Sequence, residues 1–211
     1  MGYETKVRTV SDRQIRWGLS GGASVLAIAG FFWFGLSFGV ITVRFGWLIW
    51  GVSTGCQVVI TVSLVWSAAM LRRASGFSRG DLRRGNEQQR AQTARIVRAF
   101  GWTILGQAAF IGTAVWLCIR NGANELVWPS IGLITSFHFA PLARVFHVRA
   151  YYVTAVAGSL ISLAAFAELN TAYWLAWFGG GMSAVMWLSA WYVIRNANQI
   201  AAKAAQETWL V

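Results

Sequence analysis

Charged residues are scarce in this sequence, and their scarcity excludes an ordinary soluble protein. They make up 12% of the 211 residues, whereas soluble domains carry about 25%. Hydrophobic residues supply 56%, so the chain has too little polar surface to cover a soluble globule. The formal net charge of +11 would favour nucleic acid in a soluble protein, but here the cations lie between apolar runs. We therefore expect a protein of the lipid bilayer, with no nucleic-acid partner.

Residues that carry chemistry are also few. Cys56 and Cys118 lie in apolar runs without the paired spacing of a zinc site or a disulfide framework, and we expect both to be buried as small apolar residues. The apolar runs hold no Asp, Glu or Lys near their centres, which argues against a proton relay through carboxylates. No catalytic motif stands in a fitting context. We expect no catalytic residue, no metal and no cofactor, and an enzyme is the least favoured class.

Six apolar stretches approach the length of about 20 residues that a spanning helix needs. They cover residues 17–43, 46–71, 100–119, 126–143, 150–167 and 171–194. Sixteen of the 18 Lys and Arg lie before the first stretch, between the second and third, between the fourth and fifth, or after the sixth. The other connections hold only Arg44 and Arg120. By the positive-inside rule, this alternation predicts one all-α domain, 1–211, of six transmembrane helices with both termini in the cytoplasm.

The longest polar segment is the basic connection 72–98, which runs from Arg72 to Arg98 and contains eight arginines. We expect these arginines to determine topology and to contact anionic lipid headgroups on the cytoplasmic side. Its second half, residues 86–98, contains neither Gly nor Pro. That half is expected to extend the third helix into the cytoplasm.

Small and amide side chains within the stretches indicate how the helices pack. Gly51 and Gly55 form one of several pairs at four-residue spacing, which allow helix backbones to approach closely in lipid. The run of three glycines at 179–181 predicts either a tight interface or an interruption of the sixth helix. Gln57 and Gln107 are expected to hydrogen-bond across helices, as intramembrane amides usually do.

His138 is the most distinctive polar residue, close to the cytoplasmic end of the fourth stretch. An ionisable side chain at this depth normally faces protein or water, so we expect His138 to face the bundle. Pro141 lacks a backbone N–H and its ring clashes with the carbonyl four residues back, at Phe137. We therefore expect the fourth helix to be bent or interrupted between these two residues.

Five residues near this end form a candidate binding site. They are His138, Pro141, Arg144, Tyr151 and Tyr152. The first three are spaced by threes, so that they can share a helix face, and the two tyrosines are expected at the same level of the membrane. Together they suit an anionic or polar ligand that enters from the cytoplasm. The alternative is an interfacial aromatic belt with arginines that only determine topology.

The same segment resembles a motif of a family of small, uncharacterised bacterial multi-helix membrane proteins. The matching residues are His138, Phe139, Pro141, Leu142, Ala143, Tyr151, Tyr152 and Thr154. The resemblance is confined to residues 138–154. It implies a location in the bacterial inner membrane and carries no activity with it.

Two functions remain as hypotheses. The first is a small transporter or channel-like protein with a cytoplasm-facing polar pocket beside His138. The alternative is a non-catalytic membrane scaffold or accessory subunit, which packs against itself as a homo-oligomer or against a membrane partner. A pore or an inward-open cavity would favour the first, and a broad flat face of tryptophan and small residues that self-associates would favour the second.

Overall fold

The structure, a computed structural model, describes residues 2–76, 87–146, 148–169 and 173–207. Within these residues the chain forms six α-helices and no strand. The helices are α1 Gly2–Gly35, α2 Phe38–Ala74, α3 Glu87–Arg120, α4 Val127–Phe146, α5 Arg149–Ala167 and α6 Trp174–Glu207, with a 3-10 turn at Asn124–Leu126 before α4. The all-helical architecture that the sequence predicts is therefore confirmed for the described part of the chain.

Five of these helices contain segments long and apolar enough to cross a membrane. The segments are Ile15–Gly35, Gly51–Ala74, Phe100–Arg120, Asn124–Arg144 and Arg149–Ala167. They indicate a multi-pass membrane protein. The apolar part of α6 is not among them, because its tryptophan and glycine residues lower its mean hydropathy. Even so, α6 is the central helix and packs against α1, α2 and α5. The three glycines at 179–181 lie within α6 and do not interrupt it.

The first two helices are divided differently from the predicted stretches. The sequence predicted that residues 17–43 form one helix. This prediction is wrong, because α1 ends at Gly35 and α2 begins at Phe38. The cause is a tight turn in which the Ser37 amide donates to the Phe34 carbonyl at 2.9 Å. The Ser37 hydroxyl holds this turn against α6 by donating to the Ala176 carbonyl at 2.8 Å.

The chain reverses direction further on, at Gly46. Its φ of 80° and ψ of 172° fall in a region that favours glycine. Beyond this residue Gln57 contacts Phe31 and Arg72 contacts Trp17, so α2 runs antiparallel to α1. The reversal therefore lies beside Arg44, where the break between the first two apolar stretches was predicted.

Four further packed pairs, α1–α6, α3–α4, α4–α5 and α5–α6, are also antiparallel, whereas α2 and α6, each antiparallel to α1, run parallel to each other. For α1 and α6, Arg16 bonds to Asn198 at one end, while Trp33 packs against Phe178 towards the other. Equivalent contacts join α3 to α4, α4 to α5, and α5 to α6. The described arginines 16, 72, 144, 149 and 195 consequently lie at one end of the bundle, which we call the basic end.

The two helices on either side of the basic connection are the most exposed. No residue of the apolar part of α3 is buried, and α3 packs mainly on α4. Cys56 on α2 is exposed and Cys118 on α3 is only half-buried, so the expectation that both are buried is wrong. Both cysteines lie on helices that turn most of their surface away from the bundle. The helix α3 begins at Glu87, so the prediction that residues 86–98 extend the third helix is confirmed from Glu87 onwards. Residues 77–86 of the connection lie outside the described part.

Candidate functional site

His138 lies on the side of α4 that faces α3. Its half-buried imidazole has a hydrogen bond to the backbone of Thr103, while its Nδ1 is buried and has no partner. One helical turn away, Gln107 Nε2 donates to Thr135 Oγ1 at 3.4 Å. These two polar contacts join α3 to α4 at a side of the bundle where few apolar residues are buried.

Pro141 and Arg144 lie in a different environment from the half-buried His138. Both are exposed, because the continuous helix carries them round to the face of α4 that is turned away from its neighbours. α4 is helical without interruption from Val127 to Phe146, with Pro141 inside it. The predicted interruption is therefore wrong, whereas a bend stays a prediction. A proline removes only one backbone hydrogen bond, and packing on α3 and α5 retains the helix on either side.

The two tyrosines point in different directions from the start of α5. Tyr151 is buried, with its ring 5.9 Å from that of Phe139. Its hydroxyl lies against α1, since a Cβ placed on Gly22 would stand 2.6 Å from the hydroxyl oxygen. Tyr152 is 43% exposed. The five residues of the candidate site are thus spread over three environments: the α3–α4 contact, the interior beside α1, and the outer surface.

Gln57 and Gln107 both contact a neighbouring helix. Gln57 is buried, and its Nε2 donates to the Phe31 carbonyl of α1 at 2.8 Å. Gln107 makes the longer contact with Thr135. An intramembrane amide has few other ways to satisfy its donors, which explains these placements.

A reciprocal contact joins α4 and α5 at small residues of four-residue spacing. Ser136 lies against Gly158, and Ser162 lies against Gly132. Both hydroxyls donate to carbonyls of their own helices, Ser136 to Gly132 at 2.7 Å and Ser162 to Gly158 at 2.8 Å. A Cβ on Gly132 would stand 2.7 Å from the Ser162 oxygen, so no side chain fits between the helices there. The repeated Gly-x-x-x-Ser spacing is the signal that would have found this contact.

Further contacts close the interior around α6. Thr154 of α5 and Ser189 of α6 share a hydrogen bond of 2.5 Å. Trp187 Nε1 donates to the Ala27 carbonyl of α1 at 3.2 Å. Phe178 has no exposed surface and packs edge-on against Trp33. These contacts join α6 directly to α1 and α5.

At the basic end, arginines pair with aromatic rings. The guanidinium of Arg72 lies 4.8 Å from the ring centre of Trp17, and that of Arg195 lies 5.1 Å from Trp191. A guanidinium placed over the face of a tryptophan ring is attracted by the ring electrons. In this arrangement the N–H groups at the edge of the guanidinium do not bond to the ring. Such N–H groups can donate to phosphate oxygens of lipid headgroups.

The described residues contain no group of three or more His, Cys, Asp or Glu side chains placed to hold a metal ion. Known proteins provide no further guide to the site. The chain matches no protein-family model, no curated protein and no solved structure.

Proposed function

We propose that the protein spans the bacterial inner membrane six times, with both termini in the cytoplasm. The support is the basic end, where arginines from four connections and termini meet, because lysine and arginine concentrate on the cytoplasmic side of a membrane. The apolar part of α6 is the sixth span in this proposal. Its central place between α1 and α5 leaves it the same membrane depth as its neighbours.

Cysteine labelling tests this topology. In a background that carries Cys56→Ser and Cys118→Ser, we expect Asn124→Cys to react with a membrane-impermeant maleimide added to intact cells. Gly85→Cys is expected to react only after the membrane is opened. Asn124 is exposed in the turn before α4, so its label has access from that side. Reaction at position 85 in intact cells with none at position 124 would reverse the orientation.

Within this membrane, a non-catalytic scaffold or accessory subunit that packs against a second copy of itself is the favoured function. The observation that carries it is a row of small residues on α2 that the bundle leaves uncovered. Gly51, Gly55, Ser63 and Ser67 are all exposed, and we call this row the α2 stripe. Small residues at such spacing let two helices approach closely in lipid, where apolar side chains alone provide no drive to associate.

Native Cys56 gives a direct test, because it is exposed beside Gly55. In membranes containing the Cys118→Ser variant, a short bifunctional maleimide is expected to link two chains through Cys56. Adding Gly55→Leu should abolish the product, since a large side chain separates the two backbones. The matched control is Leu105→Gly plus Cys118→Ser, which alters an exposed position on α3 and should leave the product unchanged. A cross-link that persists in Gly55→Leu, or none in the starting variant, contradicts self-association through the α2 stripe.

The second candidate is a transporter or channel-like protein with its polar pocket beside His138. It is favoured by one observation, the buried Nδ1 of His138 that has no partner between α3 and α4. Inorganic phosphate is a suitable anionic probe. Ligand binding predicts that phosphate raises the melting temperature of the wild type at constant ionic strength, and that His138→Gln removes this rise while retaining the protein's own melting temperature. If neither protein responds, an anion pocket at His138 is ruled out.

A further inference from the structure

Two buried side-chain oxygen atoms of α2, on residues one helical turn apart, have no hydrogen-bond partner. Gln57 Oε1 and Thr61 Oγ1 are buried on the same face of α2 without a bonded atom. Other buried hydroxyls of the described chain behave differently, since those of Ser136, Ser162 and Ser183 donate to a carbonyl one turn back in their own helix. Thr61 departs from this pattern at the position one turn beyond Gln57.

The orientation of the Gln57 amide is determined by its partner. The Phe31 carbonyl can only accept a hydrogen bond, so the group that faces it at 2.8 Å must be Nε2. An amide turned the other way would set two oxygen atoms against each other. The atom left over is therefore Oε1, an acceptor on a side chain that is only 1% exposed. A buried acceptor without a hydrogen-bond donor destabilises the fold. A donor to Gln57 Oε1 that belongs to neither helix would remove this cost.

The spacing of the two groups suits one water molecule. Residues four apart on a helix lie on one face, one turn from each other, so a single water molecule can hydrogen-bond to the side-chain oxygens of both. A water that donates to Gln57 Oε1 and accepts from the Thr61 hydroxyl has two polar partners, within the usual range for buried water of roughly two to four. Gln57 lies between α2 and α1, so the water would occupy the seam between these helices.

We propose that α1 and α2 hold an internal water molecule, bound by Gln57 Oε1 and Thr61 Oγ1. The water completes a polar connection that begins at the Phe31 carbonyl and passes through the Gln57 amide to Thr61. This connection holds the register of α2 against α1 on the half of the bundle away from the basic end. At the basic end, the stacking of Arg72 on Trp17 has the same role.

The sign of a stability change distinguishes this site from a hydroxyl without any partner. The full chain in lipid nanodiscs is unfolded by heat, with Thr61→Val compared with Thr113→Val, an exposed threonine on α3 that gives the baseline. If Thr61 binds the water, Thr61→Val lowers the melting temperature below that baseline by on the order of 2–4 °C. A hydroxyl without a partner predicts the opposite, because valine removes a polar group that gains nothing from burial. A melting temperature equal to or above the baseline overturns the proposal.

A bond from Thr61 to its own helix would also make Thr61→Val destabilising, so a second measurement separates the two. In a Gln57→Met background the water loses its acceptor, and Thr61→Val should then cost much less than in the wild type. An unchanged cost indicates a bond within α2 and overturns the water site. Should Gln57→Met fail to fold, water-edited solid-state NMR of the wild type gives the answer. Magnetisation transfer from water to the Gln57 side-chain amide supports the site, and its absence contradicts it.

Discussion

Replacing Gly179 by alanine is expected to destabilise the bundle, whereas the same replacement at the adjacent Gly180 is expected to stabilise it. A Cβ on Gly179 would stand 2.6 Å from the Trp33 carbonyl oxygen and 2.7 Å from Ser37 Oγ. The first obstacle is backbone, which no side-chain rotation removes. The second is the hydroxyl that holds the turn after α1 by donating to Ala176. Apart from its two chain neighbours and the backbone of its own helix, a Cβ on Gly180 would have no atom within 4 Å.

Two opposing effects decide the magnitude. Alanine is favoured over glycine inside a helix by about 0.8–1 kcal/mol, and this gain applies to both positions. Forcing an extra methyl group into a filled interior costs about 1–3 kcal/mol, and this loss applies only to Gly179. Because the contact there involves backbone, we expect the upper part of that range. Gly180→Ala should therefore be more stable than Gly179→Ala by about 2–3 kcal/mol, with the helix preference cancelling in the comparison.

Equilibrium unfolding in mixed micelles with increasing dodecyl sulfate measures this difference, with tryptophan fluorescence as the signal. The two variants have the same composition and differ by one position in the same turn of α6, so effects on the unfolded chain nearly cancel. Equal stabilities, or a more stable Gly179→Ala, would refute the close approach of α6 to the end of α1.

Three further outcomes follow from single contacts. Trp187→Phe should lower the free energy of unfolding by about 1 kcal/mol, because it removes the bond to the Ala27 carbonyl; no loss in the same micelle assay would mean that the indole N–H is not bonded. Gln107→Leu should cost less, about 0.6 kcal/mol or below, since its contact with Thr135 is long at 3.4 Å; a larger loss would indicate a shorter contact in the membrane. Thr154→Val should cost more than Gln107→Leu, because its hydroxyl bonds both to Ala150 and to Ser189; the reverse order would contradict the short α5–α6 bond.

The five-residue site illustrates what a linear pattern leaves open. Spacing by threes brought His138, Pro141 and Arg144 to related faces of one helix, yet the rotation of α4 places only the histidine against α3. The tyrosines are adjacent in the sequence, and consecutive helical residues point about 100° apart, so one is buried beside Phe139 and the other is exposed. Membrane depth, which the sequence does indicate, was not sufficient to bring these side chains together.

Hydropathy and the distribution of cations determined by themselves that the chain is helical and crosses a membrane several times. Both signals are sums over consecutive residues. The bilayer thickness determines how long an apolar run must be, and the positive-inside rule determines which side the cations occupy, so neither signal depends on a tertiary contact. The reversal beside Arg44 and the start of α3 before Arg98 followed from the same local signals.

Only the tertiary structure decided which side of each helix faces inwards. In water an apolar stripe identifies the buried face, but in lipid both the interior and the surroundings are apolar, so the stripe loses its meaning. Gly51 and Gly179 both belong to patterns of small residues that look alike in the sequence. In the structure the first is exposed, whereas the second lies against the Trp33 carbonyl. That difference arises from steric fit between α6 and α1, a property of two helices together that neither contains alone.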